Sequence, residues 1–247
     1  PSLLRNTPLP TLGYATPITD VVTIEAITNG EENSIDVELY NLINEIDINR
    51  LMSHVYILED FYTRHVNSSQ TSNNRGIGAA ADYISEQFTN ISEQSNGRFI
   101  VTTHPFQATY DGLTTSQRNI VGILNGTEAG AGIIVIGAHY DSRTYELSNS
   151  TDFAPGADDN GSGVAAVIEF ARILSRHNMR STVVFVLFAA EEVNRQGSKA
   201  FVETYIQQGG WGAELIAMIN IDTIGSNNTS TGITNDYQIR VFSDNDN

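Results

Sequence analysis

Three apolar runs of the sequence are each followed by a side chain that can bind a metal ion. The runs cover residues 133–138, 183–190 and 215–221, and the residues after them are His139, Glu191, Glu192 and Asp222. A fourth candidate, Asp159, lies in a glycine-rich loop at residues 156–163. In an open α/β sheet, functional groups gather beyond the carboxyl ends of the strands. We therefore expect one imidazole and several carboxylates to meet at one edge of a sheet.

This mixture of side chains suits a catalytic metal site. Imidazole and carboxylate without thiolate fits zinc, manganese or cobalt in a catalytic site better than a structural zinc, which usually takes cysteine. An excess of carboxylates also lets one of them bridge two cations about 3.5–4 Å apart. Neighbouring residues at a strand end point to opposite sides, so Glu191 and Glu192 could divide between metal binding and general-base catalysis. Taken singly, each residue would fit a solvated loop or a helix cap equally well.

Four short segments carry a resemblance to a known family. They are His139–Ser142, Gly156–Gly163, Ala189–Glu192 and Asn220–Gly225. In this order they resemble the two-zinc aminopeptidases of the bacterial leucyl aminopeptidase superfamily, which also contains glutaminyl cyclases and the transferrin-receptor ectodomain. The resemblance extends from about Leu51 to the end of the chain. It implies an α/β fold with a mixed, mostly parallel sheet flanked by helices, the three-layer sandwich of zinc exopeptidases.

The resemblance also implies a role for each candidate residue and two zinc ions in a complete site. The implied roles are His139 and Asp222 as ligands of one zinc, Glu192 as ligand of the other, Asp159 as the bridge, Glu191 as general base, and Asp141 as acceptor for the His139 ring. A cis peptide bond is implied after the bridging aspartate. No role is implied for Asp158.

One ligand of the family pattern is absent. The family's fifth ligand is a histidine well beyond the Asp222 position, whereas this chain ends 25 residues after Asp222 and has no histidine there. We expect the four histidines outside the motifs to be structural or exposed: His54, His65, His104 and His177. The sequence thus predicts a catalytic domain with firm ligands for one zinc only. The alternative is a shortened homologue in which Asp244 or Asp246 replaces the histidine.

The periodicity of apolar residues predicts how the chain is organised. Residues 1–40 read as an extended leader or the tail of a preceding segment, and residues 41–247 as the zinc aminopeptidase domain. Helical spacing begins near Leu42 and recurs over residues 76–88 and 197–206, and Ser162 could be the N-cap of another helix. Further strands are expected at residues 98–103, 119–124 and 237–242.

Composition excludes several classes of partner and chemistry. With 13 basic and 29 acidic residues the net charge is −16, which disfavours nucleic acid and anionic membranes and favours cations and peptide amino groups. The absence of cysteine excludes disulfides, thiolate catalysis and Cys-ligated metal. No apolar run approaches the roughly 18–20 residues that cross a bilayer. A secreted or periplasmic location follows mainly from the resemblance, and the oligomeric state is open.

The resemblance implies a metalloaminopeptidase that hydrolyses the amino-terminal peptide bond of peptides. Zinc would polarise the scissile carbonyl and activate a water, with Glu191 moving the proton. One alternative is a glutaminyl cyclase-like transferase, which uses a single zinc. Another is a non-catalytic binding domain on the same scaffold. The missing histidine supports this alternative, whereas the presence of four candidate ligands and the candidate base argues against it.

Overall fold

A computed structural model of the chain describes residues 37–227. Most of the expected leader and the strand expected at residues 237–242 lie outside this range. The chain divides into two units, residues 1–43 and 44–247. Helix α1 (Val37–Asn44) holds the described residues of the first unit. The predicted boundary after residue 40 stays a prediction.

The second unit is built on a five-stranded mixed sheet. Its strands are β1 (Phe99–Tyr110), β2 (Leu113–Leu124), β3 (Ile133–His139), β4 (Thr182–Phe188) and β5 (Leu215–Asn220). The order across the sheet is β1-β2-β4-β3-β5. Strand β2 pairs antiparallel with β1 and β4, while β3 pairs parallel with β4 and β5. The predicted mixed, mostly parallel sheet is confirmed, because four of these strands run one way and β2 runs the other.

Strands β1 and β2 are longer than predicted because they form one hairpin. The turn between them is Asp111-Gly112, and both residues have positive φ, 49° and 74°. An Asp-Gly pair with two positive φ angles is the two-residue turn whose twist matches that of antiparallel strands. The sequence therefore contained the signal, although we had expected only the two ends of the hairpin, 98–103 and 119–124.

Helices cover both faces of the sheet. The helices of this unit are α2 (Ile48–Asp60), α3 (Gly76–Gln94), α4 (Gly163–Leu174) and α5 (Gln196–Phe201), with a π-helical turn at Val202–Gln208 and a 3-10 turn at Trp211–Ala213. The segment Ala157–Ser162 before α4 is kinked, because Asp159 and Asn160 have non-helical backbone angles. Residues of α2, α3 and α4 form one core with the sheet. Residues of α5 and the two following turns form a second core on the opposite face. This arrangement is the expected three-layer sandwich.

Strand β4 shows why its sequence is a continuous apolar run. Phe185 and Leu187 are fully buried in the first core, while Val184 and Val186 are fully buried in the second. A strand with helices on both faces has no solvent-facing side, so its side chains do not alternate between apolar and polar. Among the described residues, no helix is both long and apolar enough to cross a membrane.

Ser162 does not cap α4 as the sequence suggested. Its backbone is already helical, with φ −63° and ψ −47°, whereas an N-cap residue has an extended backbone. Its hydroxyl instead donates to the carbonyl of Asp158 at 2.7 Å and accepts from the amide of Ile224. The cap prediction is wrong because the helical backbone already includes Ser162, and the side chain of Asn160 accepts from the amide of Gly163 instead.

Candidate metal centre

The carboxyl ends of β3 and β5 meet at one edge of the sheet. His139 is the last residue of β3, and Asp222 lies two residues after the end of β5. The pairing continues past the strands, because the amide of Ile221 donates to the carbonyl of Gly137 at 2.8 Å. The parallel register therefore delivers His139 and Asp222 to neighbouring positions.

A glycine and a buried asparagine shape the loop that carries Asp159. Gly156 has φ 50°, and a Cβ there would lie 2.5 Å from the carbonyl oxygen of Asp159, so only glycine fits. The side chain of Asn160 donates to the carbonyl of Ile221 at 2.9 Å and accepts from the amide of Gly163 at 3.0 Å. Asn160 thus ties the loop to the end of β5. The Asp159–Asn160 peptide bond is cis, which confirms that prediction.

Three of the four predicted ligands converge. The Nε2 atom of His139 lies 3.1 Å from Oδ1 of Asp159 and 3.6 Å from Oδ1 of Asp222. One ligand atom from each residue lies within 4.8 Å of the other two. The imidazole is buried, with 4% of its side chain exposed, whereas the aspartate side chains are 50% and 40% exposed. A cation held there would have a buried nitrogen ligand on one side and an opening to solvent on the other.

Asp141 fixes the orientation of the His139 ring. The Nδ1 atom of His139 lies 3.1 Å from the backbone carbonyl oxygen of Asp141 and 3.6 Å from its carboxylate. Asp141 lies beside the His139 ring as predicted, but its backbone carbonyl is closer to Nδ1 than its carboxylate is. The carboxylate accepts instead from the amides of Glu191 and Glu192, at 3.0 and 3.1 Å. Either acceptor holds the proton on Nδ1 and leaves Nε2 free as a metal ligand.

Glu191 and Glu192 lie in a turn and not at the end of a strand. Strand β4 ends at Phe188, and Ala190 has φ 58°. The alternation argument for this pair was therefore wrong, because it assumed an extended backbone. Glu191 pairs with Arg195 at 3.4 Å, and the two glutamates still face different partners.

Glu192 contacts a residue that sequence reasoning missed. Its Oε2 lies 2.7 Å from Nε of Arg143, the residue that follows the His139–Ser142 segment. Glu192 does not belong to the group of three convergent ligand residues. Its role as ligand of a second zinc stays a prediction.

The centre has an excess of negative charge. Burial alone would lower the pKa of His139, but attraction to the nearby carboxylates of Asp141, Asp159 and Asp222 outweighs it and raises that pKa to about 12. The hydrogen bond from His139 lowers the pKa of Asp159. Burial, together with the charge of Asp159, raises the pKa of Glu192 to about 7.

The remaining histidines make other contacts. The partners are Tyr83 for His54, the carbonyl of Leu147 for His65, Thr204 and Asn119 for His104, and Glu45 for His177. None of the four belongs to the described group of convergent ligand residues.

The sequence itself matches a known family over its second half. Residues 119–244 match peptidase family M28. The chain belongs to this family. A relative from Pyrenophora tritici-repentis, named a probable zinc metalloprotease, is 35% identical over 216 residues, which cover 84% of this chain and 48% of the relative.

Solved structures share the fold of this M28 chain. The LapA aminopeptidase of Legionella pneumophila superposes with a TM-score of 0.61 at 22% identity, covering 81% of this chain and 50% of that one. A glutaminyl cyclase from an Acidobacteriales bacterium gives 0.57 at 21% identity, covering 82% and 64%. At this identity the likeness is one of fold. The chain spans about half the length of the curated relatives that it matches.

The residues present fit the zinc that the names of the relatives imply. One imidazole and two carboxylates within 4.8 Å form a nitrogen and oxygen donor set of the kind found in catalytic zinc sites. The surplus of carboxylates around one histidine also needs a cation for charge balance.

Proposed function

We propose that this M28 chain provides the zinc centre of a metalloaminopeptidase, which removes the amino-terminal residue of peptides. The observation that carries the proposal is the convergence of His139, Asp159 and Asp222 on one point at the sheet edge. The hydrogen bonds from the amides of Glu191 and Glu192 to the carboxylate of Asp141 support it, because they connect the segment of the candidate base to the residue beside the His139 ring.

Zinc would be held first by the three convergent residues. His139, Asp159 and Asp222 supply three ligands, the number typical of a catalytic zinc with one open position. Among the described residues, a second zinc would share Asp159 and take Glu192, which is too few protein ligands for a firm tetrahedral site. We propose that the three convergent residues hold one zinc firmly.

The general base would be Glu191. When bound, zinc would polarise the scissile carbonyl and acidify a water. Glu191 would accept the proton of that water and return it to the leaving amine. Its side chain is partly exposed and lies 3.4 Å from Arg195, in an i,i+4 pair that contributes little on a protein surface. The carboxylate is therefore not committed to a strong ion pair.

The substrate would be a peptide with a free amino terminus. The net charge of −16 attracts a cationic amino group. The secreted or periplasmic location stays a prediction, as does the absence of nucleic-acid and membrane partners.

Hydrolysis of matched peptides tests the proposal. The zinc-loaded protein is given aminoacyl peptides with free and with acetylated amino termini. We expect cleavage of the free peptides alone. Cleavage of both forms would contradict an aminopeptidase. Cyclisation of an amino-terminal glutamine without hydrolysis would instead identify a transferase. Zinc binding without either reaction would identify a binding domain.

A further inference from the structure

Arg64 is a fully buried cation whose guanidinium donates hydrogen bonds to backbone carbonyls. It is one of the largest fully buried side chains among the described residues. Nε donates to Tyr140 at 2.7 Å, Nη1 to Leu58 at 3.0 Å and to Pro155, and Nη2 to Gly156 at 2.9 Å. Four of the five N–H groups of the guanidinium are thereby used.

These acceptors belong to the segments that carry the metal ligands. Tyr140 lies between His139 and Asp141, so its carbonyl is part of the link between the ligand and the residue that orients it. Pro155 and Gly156 begin the loop of Asp159, and the carbonyl of Gly156 also accepts from the amide of Gly161. One guanidinium therefore contacts both the His139 segment and the Asp159 loop.

The third segment is the end of helix α2. Leu58 lies in the last turn of this helix, where carbonyls have no partner within the helix. A cation is favourable there because the carboxyl end of a helix carries partial negative charge. The helix thus provides a fixed support from which Arg64 reaches the two loops.

The backbone of Arg64 makes a second connection through Ser142. The Arg64 amide donates to Oγ of Ser142 at 3.0 Å, and the Ser142 amide donates to the carbonyl of Arg64 at 3.2 Å. The hydroxyl of Ser142 in turn donates to the carbonyl of Ala154 at 2.7 Å. Both the side chain and the backbone of Arg64 therefore hold the start of the Asp159 loop against the residues after His139.

The guanidinium of arginine suits this position better than the ammonium group of lysine. Burial lowers the pKa of Arg64 to about 10, against the opposing charges of Asp141 and Asp159, so the group is charged at neutral pH. Its planar fork reaches three segments at once, whereas a lysine ammonium is a single point of charge. An uncharged replacement would leave several buried carbonyls without donors.

We propose that Arg64 is a positioning residue of the metal centre, which sets the separation of His139 and Asp159 through the carbonyls of Tyr140, Pro155 and Gly156. This proposal rests on the proposed zinc site. Arg64 touches neither zinc ligand through its side chain, and it acts only by holding the two segments. Its loss should weaken metal binding more than it weakens the fold.

Arg98 provides a matched control. Its side chain also donates to backbone carbonyls beyond a helix end, those of Ser175 at 2.6 Å and His177 at 2.9 Å. These carbonyls follow α4 at the end opposite to the metal loop. Replacing Arg98 removes the same kind of contact without touching the metal segments.

The experiment compares Arg64→Gln and Arg64→Lys with Arg98→Gln and Arg98→Lys in the 247-residue protein. Zinc affinity is measured by competition with a chelator, the absorption spectrum is recorded with cobalt in place of zinc, and unfolding is followed without metal. We expect Arg64→Gln to bind zinc at least tenfold more weakly and to change the cobalt spectrum. Arg64→Lys should recover part of the loss, and both Arg98 variants should bind like the wild type.

Unchanged zinc affinity in both Arg64 variants, or equal losses in the Arg64 and Arg98 variants, would overturn the positioning role. A wild-type protein without zinc affinity would remove the proposed function and this role together. If neither Arg64 variant folds, Ser142→Ala breaks the second connection only. We then expect a several-fold weaker affinity and an altered cobalt spectrum in a folded protein, and wild-type affinity would overturn the proposal.

Discussion

The Nε2 atom of His139 lies 3.1 Å from a carboxylate oxygen of Asp159, although the two residues belong to separate elements. His139 ends strand β3, while Asp159 lies in the loop that leads into α4. Contacts of the loop backbone set this distance. They include the left-handed turn at Gly156 and the hydrogen bond from the buried Asn160 side chain to the carbonyl of Ile221. The site therefore depends on backbone placement as much as on the ligand side chains.

Substitutions at the two neighbouring glutamates should have different effects, one on turnover and the other on metal binding. Glu191→Gln keeps the shape of the side chain but cannot take a proton from water, so kcat should fall by about 100-fold or more while zinc content stays the same. Glu192→Gln should instead lower metal occupancy. Peptide hydrolysis and metal analysis on the natural-length protein measure both effects. Retained hydrolysis in Glu191→Gln would place the base elsewhere.

Gly163→Ala tests the contact between the metal loop and the end of β5. Alanine normally stabilises a helical position by about 1 kcal/mol over glycine. At Gly163, however, a Cβ would lie 2.3 Å from Oδ1 of Asn160 and 2.6 Å from the carbonyl oxygen of Ile221. We expect a net loss of about 1–3 kcal/mol in the free energy of unfolding, together with weaker zinc binding.

Urea unfolding with and without zinc measures the effect of Gly163→Ala. Ala166→Gly, inside α4, is the comparison variant. It measures the effect of glycine on helix stability at a position away from the contact of Gly163 with Asn160 and Ile221. A more stable Gly163→Ala protein with unchanged zinc affinity would show that the loop and the strand end are not held as closely as the structure has them.

His54 should make the fold sensitive to acid. Burial, with a smaller contribution from Arg50, lowers the pKa of His54 from 6.5 to about 4. Its Nδ1 lies 2.6 Å from the hydroxyl of Tyr83, and its buried Nε2 has no partner among the described residues. A histidine held neutral contributes its full stability above pH 6.5 and loses it as the pH falls towards 4, by up to about 3 kcal/mol.

His54→Leu should remove this part of the pH dependence. Denaturant unfolding at pH 7 and pH 4.5 measures the difference, with Tyr83→Phe as a control that removes the hydroxyl and keeps the histidine buried. We expect the wild type and Tyr83→Phe to lose more stability on acidification than His54→Leu. Equal losses in all three proteins would contradict the neutral state of His54.

Much of the fold could be predicted because local patterns coincide with tertiary demands. The apolar run of β4 is long because both of its faces are covered, and the polar residue after each parallel strand falls at the same sheet edge. These two facts were enough to predict that His139 and Asp222 come together, whereas Asp159 was predicted from its glycine-rich loop and from the family resemblance. The Asp111-Gly112 pair is also a local signal in the sequence, because such a pair is typical of a two-residue hairpin turn.

Other features depend on contacts between residues far apart in the chain. Periodicity cannot show that β4 stops at Phe188, because the apolar run continues to Ala190. Likewise, no local pattern marks Arg64 as buried or pairs Arg143 with Glu192, since each of these contacts exists only after the loops are folded. The sequence indicated the ligands but not the residues that hold them.

Zinc titration of the 247-residue protein and two variants tests the metal centre most directly. Asp159→Asn removes a predicted ligand. Asp158→Asn changes the neighbouring charge but keeps the oxygen that accepts from the amide of Gly225 at 2.7 Å. We expect one tight zinc per chain in the wild type and in Asp158→Asn, and none in Asp159→Asn. Absence of tight binding in the wild type, or tight binding retained in Asp159→Asn, would contradict the centre.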